Sequence, residues 1–220
     1  MDEFQQAWHR FHANSFPIGH LLKDSEGWNL TRFHLLPGGH TTARTSEQLR
    51  DLLMRFNTVA TATLGEDAPC FIMALQSANE NKPHRARMER LKRRFKLREG
   101  WQFFSTSDAL AYTVWSGDIS WRSGAFNRLL LHIYRQDLWD IIVMSKATGA
   151  VFYAYDSGAD VSQATPQELI ALISKFYGWM PTNGNGFVQF NPAQMAGVKF
   201  QVTPSCAAAI KAAVSAPLPR

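Results

Sequence analysis

Asp156 and Asp160 stand four residues apart in the stretch Tyr155-Asp156-Ser157-Gly158-Ala159-Asp160, the best local candidate for a site and the carboxylates that an enzyme would use here. The stretch reads as a tight loop leaving a buried strand, and loops carried by a rigid sheet are where functional groups concentrate. The competing reading is local: Asp156 ties the loop and Asp160 caps nearby amides. His9 and His12 have the i, i+3 spacing that puts two ligands on one helical face. A metal site needs a third and a fourth ligand. No nearby Asp, Glu or His stands at motif spacing, so no metal or cofactor is assigned. Cys70 and Cys206 are far apart and form neither a disulfide framework nor a zinc spacing, which fits two unreactive thiols in a reducing compartment. Gly38-Gly39 and Asn183-Gly184-Asn185-Gly186 lack the strand–loop–helix setting of a phosphate loop and read as turns or links. Ser116-Gly117 and Ser157-Gly158 lack the Gly-x-Ser-x-Gly elbow of a serine nucleophile. No catalytic residue is assigned.

Recognition by charge is better represented. Residues 80–99 hold nine basic side chains, Arg85, Arg90 and Arg94 among them, against Glu80, Glu89 and Glu99, a net of +6. The net charge of the whole chain is +5, so the remainder is near neutral and one element carries the excess. Such a segment can neutralise phosphates, dock on an acidic protein, or be a solvated helix face. Its only aromatic residue is Phe95, on the apolar stripe with Met88 and Leu91. Trp115, Trp121 and Arg122 form a further set of the kind found at interface hot spots, with core packing of the tryptophans as the alternative.

The elements that must position these groups give an α+β protein: an antiparallel sheet including a three-stranded C-terminal meander, with helices packed on it. Phe4, Trp8 and Phe11 recur at helical spacing behind Asp2, predicting a helix over 3–13. Trp28–Leu36 reads as a short strand stopped by Pro37-Gly38-Gly39. Ser46 is the expected N-cap of a helix whose Leu49, Leu52, Leu53, Phe56, Val59 and Ala60 share one face. Strands are expected at Pro69–Gln76 and Trp101–Phe104. Tyr112–Trp121, interrupted by Gly117-Asp118, reads as a hairpin or two short strands. The meander is placed at about residues 129–156, as Leu129–Tyr134, Leu138–Met144 and Val151–Tyr155, with Ala147-Thr148-Gly149 as a turn. These strands are apolar on both faces, so both faces of the sheet are expected to be covered. Thr165, Pro166 and Glu168 form a capping-box pattern for a helix carrying Leu169, Leu172, Ile173, Phe176 and Met180. An apolar stretch, 197–202, and an Ala-rich helix, 205–214, are read in the tail.

The 220 residues are read as a single α+β domain, 1–220, with 1–99, 100–180 and 181–220 as its parts. The start Met1-Asp2-Glu3-Phe4 lacks a secretory pattern, and no apolar run approaches the ~20 residues of a membrane span. The expectation is a cytoplasmic protein with no membrane partner.

Ile141-Ile142-Val143, Gly149-Ala150-Val151-Phe152 and Tyr155–Val161 resemble the C-terminal region of a bacterial family, DUF3885. That family shows two strands joined by a short turn, then a Tyr-Asp-Asp-Arg-Gly-x-Asp-like loop and a helix. This chain keeps Tyr155, Asp156 and Asp160, but has Ser157 where the family has Asp and lacks the Arg before Gly158. The segments 16–20 and 32–37 are similar to related bacterial proteins. The family brings no assigned chemistry, and small proteins of this kind often look like immunity partners of secreted toxins. The reading is therefore a non-catalytic protein-binding protein, an immunity protein that occludes a toxin's active site. The candidate contact residues are Arg85, Arg90, Arg94, Trp115, Trp121, Arg122, Tyr155, Asp156 and Asp160. The alternatives are a nucleic-acid-associated protein using residues 82–98 and an enzyme using Asp156 and Asp160.

Overall fold

The computed structural model describes residues 2–13, 15–24, 27–36, 40–105, 109–181 and 188–194. The turn read at Gly38-Gly39, the link at 183–186, the apolar stretch 197–202, the helix 205–214 and Cys206 lie outside the described residues.

Eight strands form one sheet: β1 (Asn29–His34), β2 (Pro69–Ser77), β3 (Arg98–Ser105), β4 (Leu110–Ser120), β5 (Ile141–Ser145), β6 (Val151–Ala154), β7 (Gly158–Gln163) and β8 (Val188–Gln189). Their order is β3-β4-β2-β5-β6-β7-β1-β8, and every pairing is antiparallel. Because side chains alternate across a strand, the sheet feeds two cores. Cys70, Ile72 and Ala74 of β2 point into one, and Phe71, Met73 and Leu75 into the other. Helices α2 (Ser46–Leu64), α3 (Lys82–Phe95) and α4 (Asn127–Tyr134) cover the first face. There Leu52, Phe56, Val59 and Ala60, Met88 and Leu91, and Leu129, Leu130 and Ile133 meet Ile72, Val143 and Phe152. Helix α1 (Glu3–His12) and the 3₁₀ segment Gly19–Asp24 cover the second face with Phe4, Trp8 and Leu22, and Ile18 between them joins the same core. Helix α5 (Pro166–Lys175) packs beyond β7 and β1.

The fold class is as read: an α+β protein with an antiparallel sheet, both faces covered. Several boundaries differ, each for a physical reason. The stretch 129–134 is not a strand but helix α4. A short apolar run does not by itself distinguish strand from helix. Leu129, Leu130 and Ile133 are buried at helical spacing, while Leu131, His132 and Tyr134 are only half-buried. The meander is β5-β6-β7, so its third strand lies C-terminal to the predicted ones. Residues 155–157 make the hairpin turn, Tyr155 N–H donating to the Gly158 carbonyl at 3.0 Å. Asp160 therefore lies inside β7, not in a loop. Leu138 to Asp140 precede β5 without joining it. Tyr112–Trp121 is not a hairpin in itself: β4 runs unbroken through Gly117-Asp118, with β3 as its hairpin partner. Thr45, not Ser46, caps α2, accepting from Gln48 N–H. The Ala147–Gly149 turn and the Thr165 capping box form as predicted, Gly149 supplying φ +74°. No described helix is long and apolar enough to cross a membrane.

Candidate functional site

Residues 82–95 become a helix because Asn81 accepts the His84 amide at 2.9 Å, Pro83 suits the first turn, and Lys96 ends it in the left-handed conformation at φ +51°. Its apolar stripe is narrow, and Lys92 reinforces it. The Lys92 ammonium donates to Gln76 at 2.6 Å and Glu89 at 2.8 Å, and sits 3.5 Å from the centre of the Trp115 ring. So one cation of the basic segment is buried and anchors α3 to the sheet.

Other cations face a groove. Arg87, Arg90 and Arg94 follow i, i+3, i+7 spacing, one face of a helix. Across from them, Arg128 and His132 of α4 are four residues apart and share a face. Together these five side chains line a groove of roughly 290 Å³ whose apolar floor includes Leu91, Leu129 and Leu138. Phe95 also lines it and is stacked at 5.8 Å on Phe126, which stacks at 5.0 Å on the buried Trp121 ring. This column fixes one wall to the core. No acidic side chain among the described residues lines the groove. Arg87 donates to Asp137 at 2.8 Å, and His132 Nδ1 lies 3.0 Å from the other Asp137 oxygen. The His132 hydrogen bond and the Arg87 charge hold the Asp137 carboxyl below its ordinary value. Arg90, Arg94 and Arg128 have no carboxylate partner among the described residues. Like charges brought together on two helices repel unless an anion lies between them.

The remaining predicted contact residues fall elsewhere. Arg85 is exposed and donates to the Glu80 carbonyl at 3.4 Å. Trp121 is 1% exposed and donates to Thr61 Oγ1 at 3.0 Å, so it packs the core. Trp115 is half-buried under Lys92. Arg122 makes an exposed pair with Asp67 at 3.0 Å. Asp156 accepts from Gln136 at 2.5 Å. Asp160 is buried, receives both Arg32 Nε (2.7 Å) and Nη2 (2.8 Å), and accepts from Tyr155 Oη at 3.0 Å. Burial opposes the Arg32 charge, but Asp160 outweighs it and raises the guanidinium above its ordinary value. Burial, then Asp160, hold the Tyr155 phenol well above its ordinary range. The two aspartates do not converge on a shared site: one is a sheet-internal counter-ion, the other a turn acceptor.

His12 is not paired with His9. It stacks on Trp28 at 4.0 Å, and its Nε2–H donates to the Gly149 carbonyl at 2.8 Å. Burial pulls its pKa down to about 4 against the opposing effect of that bond, so it is a neutral donor. Cys70 is buried, and burial pushes its thiol up to about 11. No group of three or more His, Cys, Asp or Glu suited to a metal occurs among the described residues. Arg87, Arg128 and His132 were missed by the sequence reading. The signal was available in the 87/90/94 spacing, but the α4 half of the groove was hidden by reading 129–134 as a strand.

No curated protein and no solved structure gives a match to the chain. A sequence-family model described as a domain of unknown function, DUF3885, matches residues 18–183, far beyond the C-terminal stretch that first resembled it. It spans α3, α4, β1 and β7, the four elements that carry the groove and the Arg32–Asp160 pair. The chain therefore belongs to the DUF3885 family.

Proposed function

We propose that this chain is a non-catalytic protein-binding protein that receives an acidic, partly apolar segment of a partner between α3 and α4. We propose further that it serves as a bacterial immunity protein, occluding the active site of a toxin. The observation that carries the reading is the groove itself: four arginines on two facing helices over an apolar floor, three of them without a carboxylate partner among the described residues. An acidic partner would relieve the repulsion between the helices. The apolar floor would add desolvated contact, and Arg is enriched in interface hot spots. A duplex nucleic acid would use the charge but leave the floor unfilled.

The test is co-expression with a toxin encoded beside this chain, followed by purification of the pair. Wild-type protein is expected to protect cells and to elute with the toxin as a 1:1 complex. The R90E/R94E double variant is expected to lose about a hundredfold in affinity, with a marked salt dependence in the wild type. Absence of both protection and complex with the wild-type chain overturns the immunity reading. Salt-sensitive retention of DNA or RNA in place of any acidic polypeptide overturns the protein-binding one.

A further inference from the structure

On the second face of the sheet, a cleft of roughly 380 Å³ opens beside Trp139, sharing no charged residue with the α3–α4 groove. Its walls include the Trp139, Tyr112 and Tyr153 rings, and its polar groups include His20 and Asp140. Trp139 is 40% exposed, yet it is held in place: one of its faces stacks on the buried His84 ring at 3.5 Å and 17°. His84 is itself fixed in the first turn of α3, with Nδ1 3.1 Å from Glu80. An exposed indole locked against a buried imidazole is a preorganised platform rather than a loose surface side chain.

Asp140 is the second fixed element. It is 6% exposed and held at φ +51°, a backbone region that costs free energy in a non-glycine residue. Both of its described side-chain partners meet at one oxygen: Tyr153 Oη donates to Oδ1 at 3.4 Å, and His20 Nδ1 lies 3.2 Å from the same atom. Oδ2 has no partner among the described residues. His20 reaches this position because Gly19 lies flat on the Tyr153 ring, where a Cβ would overlap it. After burial, Asp140 and Asp160 are the main causes that raise the Tyr153 phenol above its ordinary range, more than Arg32 lowers it.

We propose that this cleft binds a small organic cation of the guanidinium or ammonium class, with Asp140 as the counter-ion and the Trp139 ring as the stacking wall. A carboxylate beside aromatic faces is the chemistry that recognises such a cation, through charge-assisted hydrogen bonds and cation–π contact. A neutral ligand of the same shape would gain only the stacking. The volume lies within the range of small-ligand pockets.

The test uses the full chain labelled with ¹⁵N, the Trp139 indole signal being assigned by its loss in Trp139→Phe. N-butylguanidinium is expected to shift that signal saturably at concentrations below about 10 mM, the range of a weak but specific small-ligand site. N-butylurea, the uncharged isostere, is expected to bind at least about tenfold more weakly, the loss of one charge-assisted contact. Asp140→Asn is expected to weaken the cation by a similar factor. Asn is one of the residues that tolerates the left-handed backbone at this position, so the variant keeps the fold. R90E/R94E is expected to leave cation binding unchanged, which separates this site from the α3–α4 groove. Absence of a saturable shift, or equal binding of the urea and the guanidinium to the wild type, overturns the proposal. The second comparison needs no variant at all.

Discussion

Asp160 shows how one residue changes meaning with its surroundings. As a carboxylate near a turn it invites a catalytic reading, but inside β7 it is the counter-ion of Arg32 and the acceptor of Tyr155. Removing one member of a buried pair strands the other. Asp160→Ala is therefore expected to destabilise the chain by about 3 kcal/mol, read as a lower urea midpoint. The double replacement Arg32→Met/Asp160→Leu is expected to recover part of that loss, because neither charge is then stranded. A single-variant cost below about 0.5 kcal/mol would show the pair to be incidental. His12 gives a pH prediction with a definite sign. Its folded pKa of about 4 lies below the ordinary 6.5, so the folded state binds the proton less readily than the unfolded chain. Its contribution is complete above pH 6.5, declines as pH falls through the window from 6.5 to about 4, and changes no further below it. The loss amounts to roughly 3 kcal/mol at most. His12→Gln is expected to flatten the stability–pH curve in that window. An unchanged slope would refute the assignment.

At the scale of elements, α3 combines two demands that usually oppose each other. Met88, Leu91 and Lys92 bind it to the sheet, while Arg87, Arg90 and Arg94 face Arg128 of α4. Holding like charges across a groove costs stability that a partner would return. Arg90→Glu alone is accordingly expected to leave the melting temperature of the isolated chain unchanged or raise it by a degree or two, while weakening capture of an acidic partner. A clear fall in melting temperature would mean that Arg90 is structural. At the start of α5, Thr165 and Glu168 bond each other's backbone amides. Thr165→Ala is expected to cost about 1 kcal/mol in chemical denaturation.

For the whole molecule, the sheet is covered twice, and the two covers have different standing. The family match begins at residue 18, after α1, yet Phe4 and Trp8 of α1 are fully buried in the second core. Trp8 also donates its indole N–H to the Ser15 carbonyl at 2.8 Å. A version of the chain beginning at residue 18 would expose Phe71, Trp28 and their neighbours. It is expected to be soluble only with difficulty and to unfold at clearly lower urea concentration. Trp8→Ala in the full chain is expected to cost about 3–5 kcal/mol, the cost of emptying a large core site. Full retention of stability by the shortened chain would show α1 to be an accessory cover.

Local features can be read along the chain: the α1 helix behind Asp2, the apolar faces of α2 and α5, the Thr165 capping box, the Gly149 turn and the concentration of charge in residues 80–99. Each depends on neighbours within a few residues, where period, caps and turn chemistry act directly. Tertiary structure decided the rest. Leu129–Tyr134 carries an apolar run that either period can use; β5 already has β2 and β6 beside it, and residues 127–134 pack as a helix against α2. Asp160 had no local sign that Arg32, 128 residues away, would claim it. The arginine stripe of α3 could be read from spacing, but a groove needs a second wall, and Arg128 and His132 supply it only once α4 lies alongside. The same holds for His20 and Asp140, separated by 120 residues and joined across the sheet. Contacts between residues distant in sequence are set by how the layers pack, and one chain read along its length does not contain that register.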